Sequence, residues 1–133
     1  MKHPKEDRDR WLRQAAHDLE VARRHLADVF YADACYYAEQ AAQKALKGYL
    51  YGHGERSVPA HALSELIQLA ARYEAQYQVF ASGASTLTQY YIPTRYPDAL
   101  PGPAAPFEVY TEAQATDAIR IADEILQKVR GSG

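Results

Sequence analysis

From residue 8 to about residue 30 the apolar positions Leu12, Ala15, Leu19, Ala22, Leu26 and Val29 recur in alternating steps of three and four. That period puts all six on one stripe of an α-helix and predicts packing against a neighbour at a shallow angle. Trp11 and Phe30 extend the stripe at its ends, while Arg10, Arg13, Asp18, Glu20, Arg23 and Arg24 fall on the outward face. A second stripe runs through residues 34–50 at Cys35, Ala38, Ala42, Ala45 and Tyr49, widened by Ala34, Ala41 and Leu46. Glu39, Gln43 and Lys47 lie off it, on what the pattern predicts to be a polar face. Alanine is the best helix former and lets a second helix approach closely, so this segment is expected at the centre of a bundle. The brief break at Tyr31 to Asp33 makes the two helices antiparallel neighbours.

Gly52 and Gly54 stop the second helix, and a third is predicted from Ala60 to Tyr73 on Leu63, Leu66, Ile67, Ala70 and Tyr73, with Pro59 at its first turn. Phe80, Ala84, Leu87 and Tyr91 step by four, three and four and predict a fourth helix ending before Pro93. Residues 92–110 carry five prolines and no period, which predicts an ordered non-helical loop. A loop of that length inside a compact domain is unusual and often functional. Thr111 followed by Gln114 matches a capping box, and Ala115, Ala118, Ala122, Ile125 and Val129 continue as a last helical seam. No strand-like alternation and no repeat interrupts these stripes. The reading is an all-α, antiparallel up-and-down bundle of four to five helices with a long Pro-rich loop before the last. It forms a single domain over 1–133, with 1–7 and 131–133 frayed.

Composition narrows the function classes. With 133 residues, 47% hydrophobic and 24% charged, the chain can close one core without disulfide or metal support. A formal net charge of −2 gives no overall pull on nucleic acid, so any such contact needs a local patch. Cys35 sits on the buried stripe and reads as a structural thiol. No apolar run reaches the length of a membrane span, and the charged stretch Met1 to Arg10 lacks a signal-peptide core, so a cytoplasmic protein is expected. The five histidines show no ligand spacing; neither a metal nor a cofactor is expected.

The segment Tyr90-Tyr91-Ile92-Pro93-Thr94-Arg95-Tyr96-Pro97-Asp98 concentrates the candidate chemistry. A guanidinium forks onto phosphate, tyrosine faces accept a stacked base, and flanking prolines restrict the backbone that aims them. The same residues also suit a structural role, with Arg95 paired to Asp98 and the tyrosines in a core or a seam. On the central helix Gln40, Lys44 and Lys47 follow i, i+4 and i+7 and share one face, able to meet an anion or to pair with glutamates.

Gln40-Ala-Ala-Gln-Lys44-Ala-Leu-Lys47, followed by Tyr91-Ile-Pro-Thr-Arg95-Tyr-Pro-Asp98, resembles the HEPN family (higher eukaryotes and prokaryotes nucleotide-binding domain) over nearly the whole chain. The resemblance implies a homodimer that binds a nucleotide or RNA through Arg95, Thr94, Tyr91, Tyr96, Asp98, Gln40, Lys44 and Lys47. It also implies a small nucleotidyltransferase as protein partner in a toxin–antitoxin-like pair. Members that cleave RNA carry Arg-x4-6-His, and after Arg95 those positions are Leu100, Pro101 and Gly102, without histidine. That departure favours a binding module over an enzyme, because no general acid or base accompanies the arginine. Arg56 and His61 hold the Arg-x4-His spacing in the loop before the third helix and, with Arg95, make the alternative metal-independent endoribonuclease set. The remaining alternative is a purely structural partner protein.

Overall fold

The first two stripes fold as α1 (Pro4–Ala27) and α2 (Tyr31–Gly52) of a computed structural model that describes residues 3–91 and 96–132. The lead-in expected to fray is helical from Pro4, because proline at the first turn forgoes an N–H that has no partner there and Glu6 and Asp7 face the positive helix end. Arg8 then donates to the Val129 carbonyl at 2.8 Å and ties this end of the helix to the last one.

At its other end α1 stops before the expected Val29. The Phe30 amide donates to the His25 carbonyl at 2.8 Å and the Val29 amide to that of Leu26 at 3.1 Å, the paired bonds of a Schellman cap. Val29 occupies the left-handed position at φ 69° that glycine usually fills. Val29 and Phe30 therefore leave the seam and stand 63% and 55% exposed.

α2 is buried on nearly every side. Its alanines admit α1 so closely that a Cβ on Gly48 would stand 3.0 Å from Trp11 Cβ and 3.3 Å from the Arg8 carbonyl oxygen. The polar face expected for Glu39, Gln43 and Lys47 does not exist, since all three are buried, and so is Asp18, which was expected on the outward face of α1. Cys35 is fully enclosed, and burial pushes its thiol up to about 12.

The last helix, α6 (Glu112–Gly131), lies on both α1 and α2 and buries the expected seam. Its capping box forms as read: the Gln114 amide donates to Thr111 Oγ1 at 3.2 Å, and the Thr111 amide to Gln114 Oε1 at 2.9 Å. The end expected to fray holds too, with Ser132 Oγ donating to the Lys128 carbonyl at 2.7 Å.

α3 (Leu63–Ala71) is shorter than its periodicity suggested, because Ala62 is extended and Tyr73 falls beyond the helix. The fourth segment splits into a 3₁₀ helix over Ala75–Phe80 and α4 (Ala81–Thr88). The Pro-rich stretch holds a 3₁₀ turn at Pro97–Ala99 and the one-turn α5 (Pro106–Val109). Among the described residues there are thus six α-helices and no strand, the extra one being α5 within the expected loop. None of them is long and apolar enough to cross a membrane.

Gly83 lets α4 reach α6: a Cβ there would meet Ile121 Cγ2 at 2.8 Å, on a β-branched side chain with little freedom to move aside. Gly83→Ala is expected to lower stability by about 1–3 kcal/mol through overpacking, despite the better helix propensity of alanine; urea denaturation measures it.

Candidate functional site

Helical spacing on α2 lines up Asp33, Tyr36, Tyr37, Gln40 and Lys44 along one side, and Asp18 of α1 faces them across the hairpin. Together they enclose a cleft of about 190 Å³. Lys44 Nζ sits 2.6 Å from Asp18 Oδ2, and Gln14 donates to the other oxygen at 3.0 Å, so the buried carboxylate is held by an ammonium and an amide. Lys44 keeps a quarter of its side chain exposed towards the cleft.

Aromatic rings continue from this cleft in both directions. Tyr91 stacks near Tyr36, with ring centres 6.4 Å apart and planes 26° from parallel. Tyr36 meets Tyr37 edge-on at 5.3 Å, Tyr37 stacks on His25 at 5.5 Å, and His25 meets Phe30 at 6.0 Å. Tyr91, at the start of the Pro-rich stretch, is thereby brought to the face of α2 that carries Gln40 and Lys44. Tyr96 and Asp98 are exposed. Thr94 and Arg95 lie outside the described residues.

Lys47 shares the helical face of Gln40 but stands about 10 Å further along the axis, where the wall changes. Its Nζ lies 3.2 Å from His61 Nδ1 and 5.9 Å from the centre of the Trp11 ring. Beside it Gln43 donates to Glu39 Oε2 at 3.2 Å and to the His61 carbonyl at 3.1 Å, while Gln40 donates to Glu39 Oε1 at 2.8 Å. The expected trio thus divides, with Gln40 and Lys44 at the cleft and Lys47 in a buried network that anchors the start of the α3 segment. Arg56 is exposed, and no hydrogen bond or ion pair joins it to His61 among the described residues.

Burial pushes the Glu39 carboxyl up to about 7, against the opposing pull of the two amides and of Lys44 and Lys47. Burial likewise lowers the pKa of Lys47, with Glu39 opposing. The cleft itself offers one ammonium, one amide, two phenols set edge to face and two carboxylates. That set can hold a planar polar group between rings and meet one negative charge once Lys44 leaves Asp18. Tyr36 and Tyr37 were absent from the expected site, although their position one turn before Gln40 was visible in the sequence. Asp18 carried no such signal, because nothing in the α1 pattern shows which charged position α2 will cover.

A family model described as HEPN domain matches residues 9–132. Among solved structures, TT1696 from Thermus thermophilus superposes with a TM-score of 0.86 at 36% identity, covering 92% of this chain and 95% of that one. ST0689, described as an archaeal HEPN homologue, gives 0.76 at 35% identity over 98% of both chains. MJ1304 of Methanocaldococcus jannaschii, named as a candidate toxin, is 24% identical over 90% of this chain and 84% of its own. Human sacsin is 30% identical over 90% of this chain, which spans 3% of sacsin's length.

Glu39 generates a pH test. Its folded-state pKa is raised from 4.5 to about 7, so between those values the folded chain binds more protons than the unfolded one and stability falls as pH rises. Glu39→Gln is expected to flatten the melting profile across that window and to raise stability above pH 7 by up to roughly 3 kcal/mol. Thermal melts of both proteins from pH 4.5 to 8 check it.

Proposed function

The chain belongs to the HEPN domain family, and on that premise we propose that it works as a dimeric nucleotide- or RNA-binding module. The observation that carries the reading is the convergence of Lys44, Gln40 and Tyr36 on one cleft, with the Tyr91 ring beside that of Tyr36. In this reading a base stacks beside Tyr36 and Tyr91, Gln40 hydrogen-bonds its edge, and Lys44 exchanges Asp18 for a phosphate. Arg95, four residues after Tyr91 and next to Tyr96 in the chain, supplies the second phosphate donor in this reading, with Thr94 and Asp98 as the further polar residues of the segment. Lys47 supports the helix that carries these groups.

The likeness to MJ1304, named as a candidate toxin, supports a role as one half of a toxin–antitoxin-like pair. In this reading the other half is a small nucleotidyltransferase. The missing histidine after Arg95 keeps the module reading ahead of the endoribonuclease one.

Calorimetric titration with ATP, GTP and short single-stranded RNA is expected to give saturable binding with at least one of them. Tyr36→Ala and Lys44→Ala should each weaken it by about tenfold, the range of one lost stacking or charged contact. Arg95→Ala should weaken it similarly. Absence of binding by all three ligands would leave the structural-partner reading. RNA cleavage lost in Arg95→Ala or His61→Ala would replace the module reading with the nuclease one.

A further inference from the structure

α1 and α6 lie against each other, and the groove between them differs in charge at its two ends. At one end Arg23 of α1 pairs with Asp123 of α6 at 3.5 Å. Towards the start of α1 the groove opens into a cleft of about 560 Å³, where Arg13 of α1 and Arg130 of α6 line the same space as Arg8. Two of these have a local reason to be there. Arg8 donates from Nη2 to the Val129 carbonyl at 2.8 Å, and Arg130 puts a positive charge in the last turn of α6, where the helix dipole favours it. Arg13 answers to no such rule. Its guanidinium and that of Arg130 are exposed and have no carboxylate partner among the described residues. In a chain of net charge −2, three guanidiniums around one cleft against the single carboxylate of Asp9 are more than the isolated fold requires.

The floor of the cleft is apolar. Leu12 and Ala16 follow Arg8 at i+4 and i+8, and Asp9 and Arg13 form the next row round the helix. Beyond that row a second cleft of about 460 Å³ opens, where Glu6, Asp7 and Asp9 outnumber Arg10 and Arg13. Arg10 is already held by Asp7 at 3.1 Å, whereas Glu6 and Asp9, one turn apart, have no cationic partner among the described residues. This flank of α1 therefore runs from a positive edge across an apolar strip to a row of mixed sign and then to acid. A nucleic-acid backbone carries one sign throughout, so attraction at the first cleft turns to repulsion at the second, and an apolar floor offers it nothing. A protein helix can match all of these zones at once.

We propose that this flank of α1 docks an amphipathic helix of another protein. Its acidic side chains meet Arg13 and Arg130, its apolar stripe rests on Leu12 and Ala16, and a basic residue on its other edge reaches Glu6 and Asp9. The surface is separate from the cleft at Lys44. Ala16 and Asp18 are two residues apart and so lie on nearly opposite flanks of the α1 seam. Docking here does not depend on a ligand there.

An NMR titration of the isotope-labelled chain tests it. The probe is a synthetic amphipathic helix with glutamates along one edge, leucines in its stripe and lysines along the other edge. The expected result is saturable movement of the amide signals of residues 8–16 and of Val129 and Arg130. A peptide of the same composition in scrambled order should bind about tenfold more weakly or worse. Arg13→Glu combined with Arg130→Glu should weaken the probe by about tenfold or more while the circular dichroism stays helical. A probe with lysines in place of its glutamates should regain most of that loss. The same double variant should titrate with ATP, GTP and RNA as the wild type does, which keeps a failure of one cleft distinct from a failure of the other. No movement of those signals at millimolar probe would overturn the docking surface, and so would equal binding of the scrambled peptide. Tighter binding of oligouridylate at the same residues would reassign the cleft to a phosphodiester backbone. Movement of the same signals when the chain alone is concentrated would reassign it to a second copy, and either result would overturn the proposal.

Discussion

A helix enclosed on nearly every side has no solvent face for its polar residues, and α2 is under that constraint. Its alanines and Gly48 draw α1 in close, and α6 takes much of what remains. Glu39, Gln43 and Lys47 must then find partners inside, because an unpaired polar group in the core is far more costly than a paired one. They find them in one another and in His61, which pins the start of the α3 segment to the central helix. With those three enclosed, the side of α2 left open is the one bearing Tyr36, Gln40 and Lys44. The position of the candidate cleft follows from the packing of the core.

Much of this architecture could be read from the chain. Steps of three and four located α1, α2, α3 and α6, and Thr111 with Gln114 marked the start of α6, because periodicity and capping are local properties. The environment of α2 was not local. Glu39 and Lys47 fit a solvated face equally well, and only tertiary contacts on both flanks decide that they are buried. The 3₁₀ stretch Ala75–Phe80 was also hidden, since Ala75, Tyr77 and Val79 merely alternate with polar residues and the helical steps begin only at Phe80. In the site, the clustering of Tyr91 with the α2 motif was legible only as two separate motifs. Tyr36 joins them, and a tyrosine on a helix carries no sequence mark of such a role.

Lys44 stands between a buried carboxylate and a cleft. It satisfies the carboxylate of Asp18, so neither charge is left bare in a partly buried place. In the proposed reading a ligand phosphate has to be a better partner for the ammonium than Asp18 is, which would make the pair a threshold for weak anions. The ring sequence Tyr91, Tyr36, Tyr37, His25, Phe30 runs from this cleft to the α1–α2 corner. Phe30 therefore ends the same chain of rings that borders the candidate cleft.

Cys35 lies at the centre of all this, with no exposed surface and a thiol that stays protonated throughout the ordinary pH range. Thiolate is the reactive form, so air oxidation and alkylating reagents have nothing to attack while the helices stay together. The sulfur becomes reachable only when α2 separates from its neighbours, and its labelling rate is a built-in clock for that opening, native to the chain and free of any added dye.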